Sequence, residues 1–194
     1  MIYLASKSPR RQELLQQIGI DFELVAVEID ESPLPGESAE SYVKRMAIEK
    51  SSHAWQDHMT KPLLSADTTV VVEGNILGKP TDEADFKNMM KQLSGQTHKV
   101  MTAIAVTLDG KTDSKTSISE VSFRHLTEME IHRYWQSGEP HDKAGGYAVQ
   151  GLGAIFIEQI SGSYSGIMGL PLFETAELLQ AFGVTVPEQH IMNA

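Results

Sequence analysis

Asp67 interrupts a segment, Leu63-Leu64-Ser65-Ala66 followed by Thr69-Val70-Val71-Val72, that otherwise reads as a buried strand. An unpartnered charge is expensive to bury there. Asp67 is therefore either a structural residue hydrogen-bonded by the adjacent Thr68 or Thr69, or a functional one facing a cleft, where it meets a metal, water or lysine. The second chemically informative stretch is Leu4-Ala5-Ser6-Lys7-Ser8-Pro9-Arg10-Arg11, an apolar strand running into two hydroxyls, a proline and paired arginines. Ser8 has the side chain of an N-cap, Pro9 suits the first helical position, and Leu14, Leu15 and Ile18 supply an apolar stripe. A helix beginning beside Arg10 offers free N–H groups and the positive end of its dipole to an anion, and two guanidiniums add forked hydrogen bonds to phosphate oxygens. Ser6, Ser8, Arg10 and Arg11 are thus candidate substrate-binding residues for a phosphorylated ligand. The same residues also make an ordinary capped helix with two solvated arginines, and spacing alone does not choose between the two.

Glu28, Asp30 and Glu31 form an acidic cluster in a loop that also holds Pro33, Pro35 and Gly36. Most acidic loops are simply solvated. A phosphorylated ligand, however, is commonly held together with a divalent cation on oxygen ligands, and magnesium takes one or two carboxylates plus the phosphates; Glu31 and Asp67 supply that pair if they face each other. Lys50 and Lys79 are ordinary surface lysines unless they reach the same cleft. There they would join Arg10 and Arg11 in offsetting the charge on the phosphate oxygens. His98 and Lys143 are weaker candidates of the same kind. His53 and His58 are five apart, which is not the i, i+4 spacing that puts two zinc ligands on one helical face, and Gly145-Gly146, Gly151 and Gly153 are too irregular for a dinucleotide fingerprint.

The 194 residues suffice for one domain with a sizeable core, or for two small lobes sharing a cleft. The chain has no cysteine, which excludes disulfides and thiolate chemistry. Its 16 Lys and Arg stand against 26 Asp and Glu, a net charge of −10 that opposes general binding to nucleic acid but not a locally basic cleft holding one small polyanion. No apolar stretch approaches the length of a membrane span and no signal peptide opens the chain, so the expected location is the cytoplasm, without a membrane partner.

The elements that must position these residues follow from periodicity and punctuation. Strands are expected over Ile2–Ala5, Phe22–Val27 and Leu63–Glu73, the last turning through Gly74-Asn75 into Ile76-Leu77. Lys99–Leu108 and Ser117–Phe123 read as strands paired across Asp109-Gly110, and Tyr147–Gln150 and Ala154–Ile160 as two more. Helices are expected over Pro9–Ile18, Ser38 to about His58, Phe86–Leu93, a segment to Trp135 opened by a Thr127/Glu130 capping box, and Leu172–Phe182. The Ser161–Gly166 run reads as a mobile loop or a plain surface connection, and the tail after Pro187 as loosely held. The mixture of hairpins and single crossovers indicates α/β with a mixed sheet.

The octet at Leu4–Arg11 resembles the N-terminal signature of the Maf family of nucleoside triphosphate pyrophosphatases. Seven further blocks follow in the family's order: Ile29-Asp30-Glu31, Ala47-Ile48-Glu49-Lys50, Ser65-Ala66-Asp67-Thr68, Gly78-Lys79-Pro80, Leu93-Ser94-Gly95-Gln96-Thr97-His98, Asp142-Lys143-Ala144-Gly145 and Gly169-Leu170-Pro171. The resemblance implies an inosine-triphosphate-pyrophosphatase-like architecture, an elongated mixed sheet flanked by helices with two lobes around a cleft, in a single domain over residues 1–194. It implies that Asp67 accepts the proton of the attacking water, that Glu31, Lys50 and Lys79 serve the same catalytic centre, and that the cofactor is magnesium or manganese. Arg10, Thr68 and Gln150 match the subgroup acting on dTTP and UTP. The implied reaction attacks the α-phosphorus and releases pyrophosphate, clearing pyrimidine triphosphates, modified ones included, from the nucleotide pool; family likeness also makes a homodimer an expectation. The alternative from another class is a nucleotide-sensing or protein-binding module that affects cell division. Asp67 weighs against binding alone, because a carboxylate among phosphates is repulsive unless it holds metal or takes a proton.

Overall fold

The computed structural model describes residues 1–186, so the expectation for the tail after Pro187 lies outside the described residues. Seven strands form one mixed sheet in the order β2-β1-β3-β5-β6-β7, with β4 added beside β3. They are β1 (Ile2–Ala5), β2 (Phe22–Leu24), β3 (Leu63–Val72), β4 (Asn75–Leu77), β5 (Thr97–Leu108), β6 (Lys111–Phe123) and β7 (Ile157–Ser161). The helices are α1 (Pro9–Gln17), α2 (Ala39–Ala54), α3 (Glu83–Leu93), α4 (Glu128–Gln136), α5 (Tyr164–Met168) and α6 (Leu172–Ala181). β1 runs parallel to β2 and β3, and the remaining pairs are antiparallel. The expected mixed α/β class is observed. Among the described residues no helix is long and apolar enough to cross a membrane.

The long β5–β6 hairpin closes where expected. Asp109 and Gly110 both have positive φ, 50° and 76°, the conformation of a two-residue turn whose twist matches the flanking strands. The pairing then continues from Leu108↔Lys111 to Thr97↔Ser122, so β6 starts at Lys111 rather than at Ser117. The β3–β4 turn uses Glu73-Gly74, one residue earlier than expected.

Strand alternation gives β3 and β5 two different faces. On one, Val71, Met101, Ala103 and Ala105 pack against Tyr42, Val43, Met46 and Ala47 of α2. Small residues let this helix lie close: the Ser65 hydroxyl donates to the Ala47 carbonyl at 2.6 Å, and Ser51 and Thr107 hydroxyls meet at 2.6 Å. The opposite face carries two separate cores. Leu64, Ala66, Ile104 and Val106 join α1 and α6 residues in one, while Val70, Val72 and Val100 join Phe86, Met90 and Leu93 of α3 in the other. Between them, in register across three strands, lie Thr68, Thr102 and Ser117.

Several boundaries differ from expectation. β2 ends at Leu24 and α2 at Ala54, whose following residue Trp55 is already extended. Tyr147–Gln150 is not a strand: Gly145 and Gly146 turn the chain at positive φ, Tyr134 Oη takes the Ala148 N–H at 3.2 Å that a ladder would need, and Glu139 holds the turn that follows by accepting from Leu152 and Gly153 N–H at 2.9 and 3.1 Å. Leu152–Phe156 is a 3-10 turn, so the last strand begins only at Ile157. The second half of the Ser/Gly run expected as a loop is the start of α5, capped by Ser163 Oγ, which accepts from Gly166 N–H.

Candidate active site

β3 is paired with β5 from Leu63 to Val71, but its other edge is shared. β1 covers it only as far as Ser65 and β4 only from Val70. The edge is therefore open at Ala66–Thr69, and a cleft of about 630 Å³ enters there. The two neighbouring strands leave the sheet at this gap. β1 continues into Ser6–Arg11, β4 into Gly78-Lys79, and the turn bearing Gly145 crosses beside them, its N–H donating to the Gly78 carbonyl at 2.9 Å.

Asp67 points to the α2 face of the gap, where it is only 8% exposed. Its partner is neither Thr68 nor Thr69. Lys50, delivered by α2, places its ammonium 2.6 Å from Asp67 Oδ1 and 2.6 Å from Glu31 Oε1. The two carboxylate oxygens thus lie no more than twice 2.6 Å apart, so Glu31 and Asp67 do face each other. Tyr42, about two helix turns before Lys50 on the cleft side of α2, fixes the Glu31 loop by donating its hydroxyl to the Glu31 carbonyl at 2.9 Å.

Burial separates the two acids. It pushes the Asp67 carboxyl above the ordinary carboxylate range, against the pull of Lys50 and Arg11. Burial acts upward on Glu31 as well, but the hydrogen bond and charge of Lys50, helped by Lys79 and Arg11, outweigh it and hold Glu31 below its ordinary value. Glu31 keeps half its side chain in solvent, at 51% exposure, which is why the same ammonium has opposite net outcomes on its two partners. Two neighbouring acids with divergent proton affinities are the arrangement that general acid–base chemistry needs.

The octet behaves differently from expectation in two respects. Ser8 occupies the N-cap of α1 without a side-chain capping bond, which leaves its hydroxyl lining the cleft. Arg11 is not solvated. Its Nε donates to the Gly169 carbonyl at 2.8 Å, and its terminal nitrogens donate to Ser6 Oγ and Thr68 Oγ1, each at 3.2 Å, and burial lowers its proton affinity. It is a strut between the octet, β3 and the α5–α6 connection. Arg10 makes no hydrogen bond among the described residues and lines the cleft, as do Ser6, Lys79 and Gln150.

Lys143 also lines the cleft but is tied to Asp142 at 2.6 Å and to the Glu139 carbonyl at 2.8 Å. His98 does not belong to the site. It is 1% exposed behind Tyr147, whose hydroxyl lies 2.7 Å from its Nε2, and burial depresses its pKa to about 4, so it stays neutral and cannot offset phosphate charge. Thr102 and Tyr42 are not singled out from the sequence; each bears on the cleft through a partner distant in sequence, Thr68 and Glu31 respectively.

Residues 1–182 match a family model described as Maf-like protein. The chain belongs to that family. A dTTP/UTP pyrophosphatase of Aromatoleum aromaticum is 52% identical to this Maf-like chain over 196 residues, covering 94% of this chain and 95% of the relative. A dTTP/UTP pyrophosphatase of Pasteurella multocida is 51% identical over 193 residues, with 94% and 96% covered. One from Pseudoalteromonas translucida is 50% identical over 182 residues, with 93% and 96% covered. The Staphylococcus aureus Ham1 protein superposes with a TM-score of 0.51 at 15% identity, covering 93% of the Maf-like chain and 96% of its own. That likeness concerns the fold alone, and it bears out the inosine-triphosphate-pyrophosphatase-like architecture.

Proposed function

We propose that this protein hydrolyses dTTP and UTP, and modified pyrimidine triphosphates of the same shape, to the nucleoside monophosphate and pyrophosphate in the cytoplasmic nucleotide pool. The Glu31–Lys50–Asp67 cluster at the open edge of β3 carries the reading. Asp67, held by Lys50 through Oδ1, takes a proton from water. The water oxygen forms a bond to the α-phosphorus, and the bond to the α–β bridging oxygen breaks, its electron pair leaving with pyrophosphate. Lys50, Lys79 and Arg10 offset the charge that collects on the phosphoryl oxygens and the leaving group. Ser6, Ser8 and Arg11 shape the phosphate side of the cleft, while Thr68 and Gln150 meet the pyrimidine.

A divalent cation, magnesium or manganese, fits the donors present. Glu31 and Asp67 are hard oxygen ligands within reach of one ion, and among the described residues no group of three or more acids or histidines could form a closed cage. The cation would therefore keep coordination positions for phosphate oxygens and water, as magnesium does at phosphoryl-transfer sites. When bound it neutralises phosphate charge. The two cores flanking the polar strip are read as the two lobes of a single domain, and the homodimer implied by the resemblance is checked by light scattering.

The test is a panel of canonical and modified nucleoside triphosphates incubated with magnesium or manganese, with products separated by chromatography. A monophosphate with pyrophosphate supports the reading. A diphosphate with orthophosphate refutes the position of attack, and preferred turnover of purines refutes the substrate class.

A further inference from the structure

The hydroxyl protons around Thr68 have only one consistent arrangement. Thr102, fully buried on β5, donates its single proton to the Gly166 carbonyl of α5 at 2.7 Å, because a carbonyl can only accept. Its oxygen also lies 2.9 Å from Thr68 Oγ1. With the Thr102 proton committed, Thr68 must be the donor in that pair. Arg11 then supplies a further donor to Thr68 Oγ1 at 3.2 Å. Thr68 has therefore spent its only proton and one of its two lone pairs inside the protein, and what it turns to the cleft is a lone pair.

An acceptor-only group cannot bind a phosphate oxygen, which also only accepts. It needs a donor on the nucleotide. The donors of a pyrimidine triphosphate that lie away from the phosphates are the sugar hydroxyls and the base edge. Uracil and thymine share an N3–H donor, while cytosine has a bare acceptor at N3. The relatives named dTTP/UTP pyrophosphatase pair one deoxyribose with one ribose substrate, so what the two substrates have in common against cytidine nucleotides is the base edge.

We propose that Thr102 is a positioning residue for base choice: by fixing the proton of Thr68 toward β5, it makes Thr68 an acceptor for the N3–H of uracil and thymine and sets it against cytosine. The proposal rests on the pyrimidine triphosphate reading above. Without the Thr102 hydroxyl, the Thr68 proton rotates into the cleft and satisfies cytosine N3 as a donor. Leaving a desolvated acceptor facing an acceptor costs enough to set a discrimination of about tenfold.

The experiment compares kcat/KM for UTP and CTP in the parent, Thr102→Val, Thr102→Ala and Thr102→Ser. Valine keeps the volume and deletes the hydroxyl; alanine deletes it without adding bulk, should valine not fold; serine restores it. The expected result is a UTP to CTP ratio lowered about tenfold in the valine and alanine variants, carried mainly by KM, with saturated UTP turnover within about threefold of the parent and the parent ratio retained by serine. Equal losses on both nucleotides would mean that Thr68 meets the ribose or that Thr102 only supports α5, and either overturns the proposal. So does a serine variant that behaves like valine. If the parent turns over neither UTP nor dTTP, the substrate reading itself has failed and takes the proposal with it, whereas a discriminating parent with unmoved variants defeats the Thr102 role alone.

Discussion

Replacing Asp67 with asparagine separates its chemistry from its structural role. The Lys50 ammonium stands 2.6 Å from Asp67 Oδ1 and can only donate, so the asparagine carbonyl takes that position and the amide nitrogen falls where Oδ2 was. A donor then faces the attacking water at the point where an acceptor is required. Loss of a general base costs about two to four orders of magnitude in rate, or about 2.7 to 5.4 kcal/mol at 1.36 kcal/mol per decade. Stability should move the other way. Burial raises the Asp67 carboxyl above its ordinary value, so at neutral pH its ionised form opposes folding, and a neutral amide removes that opposition while Glu31 continues to hold Lys50. The expected variant is folded, melts no lower than the parent, binds UTP in calorimetry and releases pyrophosphate at least about a hundredfold more slowly. Turnover within a few-fold of the parent would refute Asp67 as the base and make Glu31 the next candidate. A large fall in melting temperature would refute the view that the carboxylate is retained at a structural cost.

Arg11→Ala is expected to lose at least about 2 kcal/mol of stability in urea titration, because three charge-assisted hydrogen bonds bridging the octet, β3 and Gly169 go with it; an unchanged midpoint would return Arg11 to a solvated role. Gln150→Glu, at an exposed position on the cleft rim, should change the ratio of UTP to CTP turnover more than it changes the melting temperature, and uniform losses on every triphosphate would assign Gln150 to general binding. His98 has a folded pKa of about 4 against an ordinary 6.5, so the unfolded chain binds its proton first and stability falls as pH drops from 6.5 to about 4, by roughly 3 kcal/mol in all. His98→Phe should flatten the stability profile in that window and leave the further loss below about pH 4.5, where Glu37 and Glu130 are held down to about 2 by hydrogen bonds from Arg45 and Arg124; an unaltered profile from pH 6.5 to 4 would contradict a buried neutral His98.

Asp67 was legible because a carboxylate inside a valine-rich strand breaks a local pattern, and the capping box at Thr127 and the turn at Asp109-Gly110 were legible because their chemistry is complete within four residues. Arg11 misled for the complementary reason: two consecutive arginines look alike, and only the return of the chain at Gly169 buries one and leaves the other in the cleft. Thr102 sits in an alternating strand with nothing local to mark it, and gains meaning only from its register opposite Thr68 and from the approach of α5. The misread strand at Tyr147–Gln150 has the same origin, since Glu139, eight or more residues upstream, holds the N–H groups of the turn that follows it, and a single carboxylate in a Gly-Glu-Pro loop gives no sign of that reach.

The open edge of β3 explains how so few residues can combine catalysis with base choice. A central strand normally has both edges occupied and offers ligands nothing but its ends. Here β1 pairs with β3 only as far as Ser65 and β4 only from Val70, so the middle of the strand is accessible from the side and both of its faces border the same cleft. Consecutive residues then serve opposite purposes: Asp67 turns toward Lys50 and Glu31 on the α2 face, and Thr68, about 3.3 Å further along, turns toward Thr102 and Arg11 on the other. The arrangement depends on register. A slip of β3 by one residue would put Asp67 against the Thr102 hydroxyl and Thr68 against the Lys50 ammonium, exchanging the two faces completely. Nine successive pairings with β5, from Leu63↔Thr107 to Val71↔Lys99, hold it against that slip, so the length of the β3–β5 ladder belongs to the active site as much as Asp67 does.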